Sequence, residues 1–201
     1  MPPSPYDSRD FKMSVFEMAK TGVIPVVGYF GSEMAETVVQ AIFIAKEALR
    51  KTRQEWATFL IDSNGGSVDH LNSIRSAMIE SGLKFKGSVQ SKARSAGFIL
   101  LQYCHWRKAL SNAELLFHFG GARMSNDDLA TVVEDTEWVI RYHKMRLDQV
   151  ISDICQRSGL SKETVFDLGK YQKDILAEKA QEMGLLDEVV NLVPKSERPP
   201  A

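Results

Sequence analysis

Short apolar runs alternate with segments of helical period along the chain, and this alternation is what most limits its fold. Val23-Ile24-Pro25-Val26-Val27-Gly28-Tyr29-Phe30 is rich in β-branched and aromatic residues and ends at Gly31. With Ser32 as an expected N-cap, residues 33–51 place Val38, Val39, Ile42, Ala45 and Leu49 at helical spacing. The run Trp56-Ala57-Thr58-Phe59-Leu60-Ile61-Asp62 predicts a buried strand that stops at Ser63-Asn64-Gly65-Gly66-Ser67. Leu71, Ile74, Ala77 and Met78 then line one face of a helix ended by Gly82. Residues 84–89 alternate like a strand, 95–104 read as a buried helix, and 113–118 as another strand. A long helical pattern covers 125–158, acidic in its first half and basic in its second, as the helix dipole favours. A last β/α stretch leads into a strand over 187–193. Such a succession predicts an α/β fold around a largely parallel, covered sheet.

Composition narrows the setting. At 201 residues and 44% apolar, the chain suits one cored domain, expected over 13–193. The Pro- and Ser-rich residues 1–12 and the tail 194–201 read as flexible. A net charge of −1 provides no basic field for nucleic acid. The longest uncharged apolar runs are a handful of residues, where a membrane span needs about 20. Residues 1–7 lack a basic start followed by an apolar stretch, so no secretory signal is expected. The two cysteines, Cys104 and Cys155, have neither disulfide nor zinc spacing, which points to a reducing, cytoplasmic setting. No metal or cofactor is expected.

Three local features carry chemistry. Gly65-Gly66 lie between a buried strand and a helix, where backbone N–H groups can approach a phosphate or an oxyanion. A tight turn without a ligand is the simpler reading of that feature alone. Ser95, in Arg94-Ser95-Ala96-Gly97, opens an apolar helix and is either a cap or a nucleophile. His118 closes a strand, where a general base would be reachable, or where an imidazole is simply structural. His70, His105 and His143 have no metal spacing and read as structural or solvated.

Taken together, their order and spacing resemble the proteolytic subunit of the Clp protease (ClpP) over about residues 23–193. The family's Ser-Pro-Gly-Gly-Ser turn is similar to Ser63-Asn64-Gly65-Gly66-Ser67. Its Ala-Ser-Met-Gly nucleophile motif is similar to residues 94–97. Its Arg…Leu-Pro-Asn…His segment is similar to Arg107, Leu110-Ser111-Asn112 and His118, and its Tyr-Gly-Leu-Val-Asp ending to residues 183–187. The resemblance implies a ClpP/crotonase-like ββα superhelix with a long handle helix. It implies a serine-type endopeptidase with Ser95 as nucleophile and His118 as base. The N–H groups of Gly66 and Ala96 would form the oxyanion hole. It implies a peptide or unfolded protein as substrate, a homo-oligomeric ring, and an ATP-dependent unfoldase as partner.

The third triad member departs from the pattern. Counting from Ser158-Gly159 to Met183-Gly184 puts Leu168 in the aspartate's place, with Asp167 one residue, about 100° of helix, away. Asp167 is the first candidate, Asp174 the second, and a site without a carboxylate the third. Asn64 replaces the family's proline. Arg94 replaces a small residue, either pointing to solvent or acting on charged substrates. Phe119-Gly120-Gly121-Ala122-Arg123-Met124 replaces the family's substrate-pairing strand. In the long helix, Trp138, Ile140 and Tyr142 are either interface residues or part of a buried stripe. Two further readings stay open: an inactive or weakly active paralogue serving as a structural or regulatory ring partner, and a crotonase-like enzyme acting on acyl-CoA.

Overall fold

The computed structural model describes residues 4–119 and 136–192. Five strands form the parallel path of the sheet: β1 (Val23–Phe30), β2 (Trp56–Gly66), β3 (Lys84–Arg94), β4 (Trp106–Leu110) and β7 (Glu188–Val190), in that order. Helix α1 (Arg9–Ala19) precedes β1. Helices α2 (Ser32–Thr52), α3 (Val68–Ser81) and α4 (Ala96–Tyr103) connect the strands in turn. The carboxyl half of the chain adds β5 (Glu114–Leu116), α5 (Thr136–Ser158), α6 (Lys162–Tyr171), β6 (Ile175–Leu176) and α7 (Ala177–Glu182).

Periodicity explains the layers. Along β2, Ala57, Phe59, Ile61 and Ser63 are fully buried, while Thr58, Leu60 and Asp62 between them are only half-buried. One face of the sheet therefore carries the core under α2 and α4, rather than both faces being equally covered. Phe59 and Phe85 stack at 4.8 Å between β2 and β3. Helix α4 is buried from Ala96 to Gln102 and sits on β2 and β3.

Strand β3 changes partner halfway. Its pairing with β2 runs from Trp56↔Lys84 to Ile61↔Val89, then jumps to Ser63↔Ala93. The bulge bends the strand. Below it, Lys86–Val89 pair with β4; above it, Lys92–Arg94 pair with β5. Strand β5 then pairs antiparallel with the two-residue β6.

Several expectations are corrected. The segment expected to be flexible over 1–12 is structured from Ser4. A 3₁₀ turn at Pro5–Asp7 is capped by Ser4, and Tyr6 is completely buried, its hydroxyl donating to the Pro25 carbonyl at 2.8 Å. One buried aromatic anchor thus overrides a disorder-prone composition. Gly31, not Ser32, occupies the cap of α2 and makes no side-chain cap bond. Helix α6 runs through Gly169 to Tyr171, because Gln172 rather than the glycine adopts the left-handed cap, at φ 48°. The final strand is shorter than expected, Glu188–Val190. Residues 125–135 of the expected long helix, the segment 120–124, the Trp138 side chain and the tail 194–201 lie outside the described residues. Ile140 and Tyr142 are exposed, at 62% and 38%, so they form no buried stripe within the subunit.

Candidate active site

The carboxyl ends of β2, β3 and β5 converge, and the chemically informative residues sit on them. Ser95 follows β3 directly. Its backbone has φ 53° and ψ −119°, a conformation that costs a non-glycine residue about 1–3 kcal/mol. Ser95 occupies the cap position of α4, yet its side chain makes no cap hydrogen bond. The capping role left open by the sequence is thereby removed, and the hydroxyl stands at a sharp strand-to-helix junction. The Ser95 N–H donates to the Leu116 carbonyl at 2.8 Å, tying the junction to β5.

Gly65-Gly66 pack against that junction. A Cβ on Gly65 would lie 2.4 Å from the Ser95 Cβ and 3.0 Å from the Ala96 nitrogen, and Gly65 has φ 95°. Only glycine permits both the backbone conformation and the approach. Gly66, at φ 149°, would drive a Cβ into the Phe30 backbone. Ser63 fixes the turn: its hydroxyl donates to the Gly28 carbonyl and accepts from the Gly65 N–H. The turn expected to cradle an anion therefore sits against the amino end of α4, where aligned N–H groups favour negative charge.

His118 is two residues beyond Leu116 and half-buried. Since Arg94 pairs with Leu116, Ser95 and His118 leave neighbouring parallel strands at the same end of the sheet. The flanking aromatics fix the segment. Phe117 packs on Phe98 of α4 at 5.7 Å, and Phe119 on Phe166 of α6 at 4.9 Å. Gly169 is in close contact with the Phe119 ring.

The structure does not bring Asp167 into this group. Val165 and Gly169 form the buried face of α6, and Asp167 lies opposite, exposed, beside Glu163, Leu168 and Tyr171. This corrects the expected assignment. A one-residue offset is a 100° rotation, and packing of Phe166 and Gly169 on Phe119 fixes that rotation. Asp174 is committed elsewhere. Arg94 Nη2 bridges the Asp174 carboxylate at 2.9 Å and the Glu114 carboxylate at 2.6 Å. Arg94 is therefore neither turned to solvent nor a free cation beside the serine. Its Nε is buried without a hydrogen-bond partner among the described residues.

A second polar cluster is architectural. Arg107 on β4 is 2% exposed and binds Asp187 through Nε, Nη2 and its own N–H, while Nη1 donates to Gln102. Burial works against ionisation of Asp187. The hydrogen bonds and charges of Arg107, with the charge of Arg157, outweigh it and hold the carboxyl below the usual range. Strand β4 and this pairing were not foreseen, because a strand reading Trp-Arg-Lys-Ala-Leu shows no clean alternation. Cys104, at the far end of α4, has its thiol pushed up to about 12, chiefly by burial. It is thus no competing nucleophile. Among the described residues, no group of three His, Cys, Asp or Glu could hold a metal ion. None of the described helices is long and apolar enough to cross a membrane.

A strained serine at a strand-to-helix junction, a di-glycine turn against it and a histidine on the next strand define a hydrolase-type serine site on a parallel sheet. The family model for Clp protease matches residues 7–192, nearly the whole chain, and the chain belongs to that family of serine peptidases. The sheet order and successive crossovers are consistent with the ClpP-like fold. No curated protein sequence matches the chain.

Proposed function

We propose that this chain is a serine-type endopeptidase acting through Ser95 and His118, with the N–H groups of Gly66 and Ala96 as its oxyanion hole. The observation that carries the reading is the junction itself. Ser95 is held at a costly positive φ, free of any capping bond, with its N–H anchored two residues before His118. His118 takes the hydroxyl proton as Ser95 Oγ attacks the scissile carbonyl carbon, and the paired N–H donors hold the resulting oxyanion. Collapse breaks the C–N bond, and the proton passes from His118 to the departing amine. Water then repeats the sequence on the acyl-enzyme. Losing one oxyanion donor typically costs about 3 kcal/mol of transition-state stabilisation.

Family membership supports an oligomeric ring as the working form, fed with peptides or unfolded protein by an ATP-dependent unfoldase. Exposed Ile140, Tyr142 and Met145 on α5 suit a subunit contact. A cytoplasmic setting belongs to the same proposal and agrees with two free cysteines. A second reading, the weakly active or inactive ring partner, is favoured by one observation: Asp167 points outward and Asp174 is held by Arg94.

A fluorophosphonate probe tests the proposal. Wild type should take one adduct by intact mass, and Ser95→Ala none. An unlabelled wild type that is folded and assembled would replace the peptidase reading with the ring-partner one.

A further inference from the structure

The antiparallel ladder between β5 and β6 reaches further than its two pairs. Glu114 faces Leu176, and Leu115 faces Ile175. Carried forward, the same register sets Leu116 against Asp174 and His118 against Gln172. Two contacts on either side hold this alignment. Arg94, the β3 partner of Leu116, binds Asp174 at 2.9 Å. Beyond the histidine, Phe119 meets Gly169 and Phe166 of α6. The chain from 174 back to 169 therefore runs alongside the chain from 116 to 119. Residues opposite in such a ladder have Cβ atoms about 4.5–5.5 Å apart.

Gln172 is also one of three non-glycine residues with positive φ among those described, with Arg53 and Ser95. It caps α6 in a left-handed conformation, φ 48° and ψ 42°, where glycine or asparagine is the usual occupant. A long polar side chain there carries a backbone cost that no packing contact offsets, since Gln172 is exposed.

We propose that Gln172 is the residue that orients His118, its side-chain oxygen accepting from the imidazole Nδ1–H where a carboxylate would otherwise stand. The inference rests on the peptidase reading above. An amide oxygen can select the tautomer that leaves Nε2 free to take the serine proton, but it cannot offset the charge of the imidazolium that forms. Gln172 is thus a positioning residue, and the chain is a peptidase set to low turnover by one side chain.

The test adds a carboxylate without changing shape. In full-length protein, Gln172→Glu should raise the His118 titration midpoint by about one unit, followed by NMR with His118→Ala assigning the resonance. The groups already nearby among the described residues stay constant: Arg94 with Glu114 and Asp174, Lys173 beside residue 172, and Asp167 and Lys170 on α6. The same variant should raise kcat on a fluorogenic peptide about tenfold or more with KM little changed. Gln172→Met, of equal length but without an acceptor, should lower kcat.

The outcomes separate the two readings. Wild type labelled at Ser95 with no midpoint change in Gln172→Glu overturns the role of Gln172 and leaves the peptidase intact. A raised midpoint with unchanged kcat and labelling overturns it as well, since proximity alone would remain. No label on wild type but a Ser95 adduct in Gln172→Glu supports the proposal. No adduct in either protein overturns the peptidase reading, and this inference with it.

Discussion

Gly65 is the residue with the least freedom. Its backbone touches both the Ser95 and the Ala96 side of the junction, so a methyl group there must displace the serine. Gly65→Ala should cost about 1–3 kcal/mol in stability and at least a hundredfold in kcat, measured by chemical unfolding and peptide turnover. Asp167→Asn should leave kcat within about twofold. A loss of the order of 10⁴, the precedent for removing a triad aspartate, would return the role to Asp167. Ser95, Ala96, Gly66 and His118 were legible because each sits beside small residues or at a strand end, where sequence marks local geometry. The histidine's neighbour was not. It is set by β6, a strand of two residues with no period to read, so counting along the helix had no tertiary anchor.

At the scale of elements, the pairing of β4 with β7 is held by one buried ion pair. Asp187→Asn would leave the Arg107 guanidinium buried without its counter-charge, at a cost of about 3 kcal/mol near neutral pH. The pH dependence has a definite sign. The Asp187 carboxyl is held low in the fold, so its contribution is fully present above the ordinary carboxylate value and disappears as pH falls through the lowered one. Tm of wild type should therefore drop below about pH 4, while Asp187→Asn, already less stable, should show a shallower decline. Equal slopes would mean that other carboxylates carry the acid sensitivity. Strands β1 to β3 and the helices between them were readable from glycine punctuation and apolar spacing. Strand β4 was hidden because its Arg and Lys are exposed or buried according to a partner 80 residues away.

For the whole molecule, assembly is the decisive property. Ile140 and Met145, each 62% exposed on α5, are expensive to leave in water, and a contact between subunits would cover them. Light scattering of wild type should give a mass several times that of one chain. The double change Ile140→Asp and Met145→Asp should reduce it without altering the fold by circular dichroism. An unchanged mass would place the contact elsewhere.

The Tyr6 anchor has a consequence of its own. Among the described strands, β1 lies at the border of the sheet, with one side of its backbone unclaimed by any strand. The Tyr6 hydroxyl occupies part of that side, donating to Pro25 and accepting from the Val27 N–H at 3.2 Å. Pro25 itself offers no donor there. Turn and proline together blunt an edge that could otherwise recruit a foreign strand. Deleting residues 1–8 would thus reveal itself first as precipitation on standing, in a protein whose remaining core is still folded.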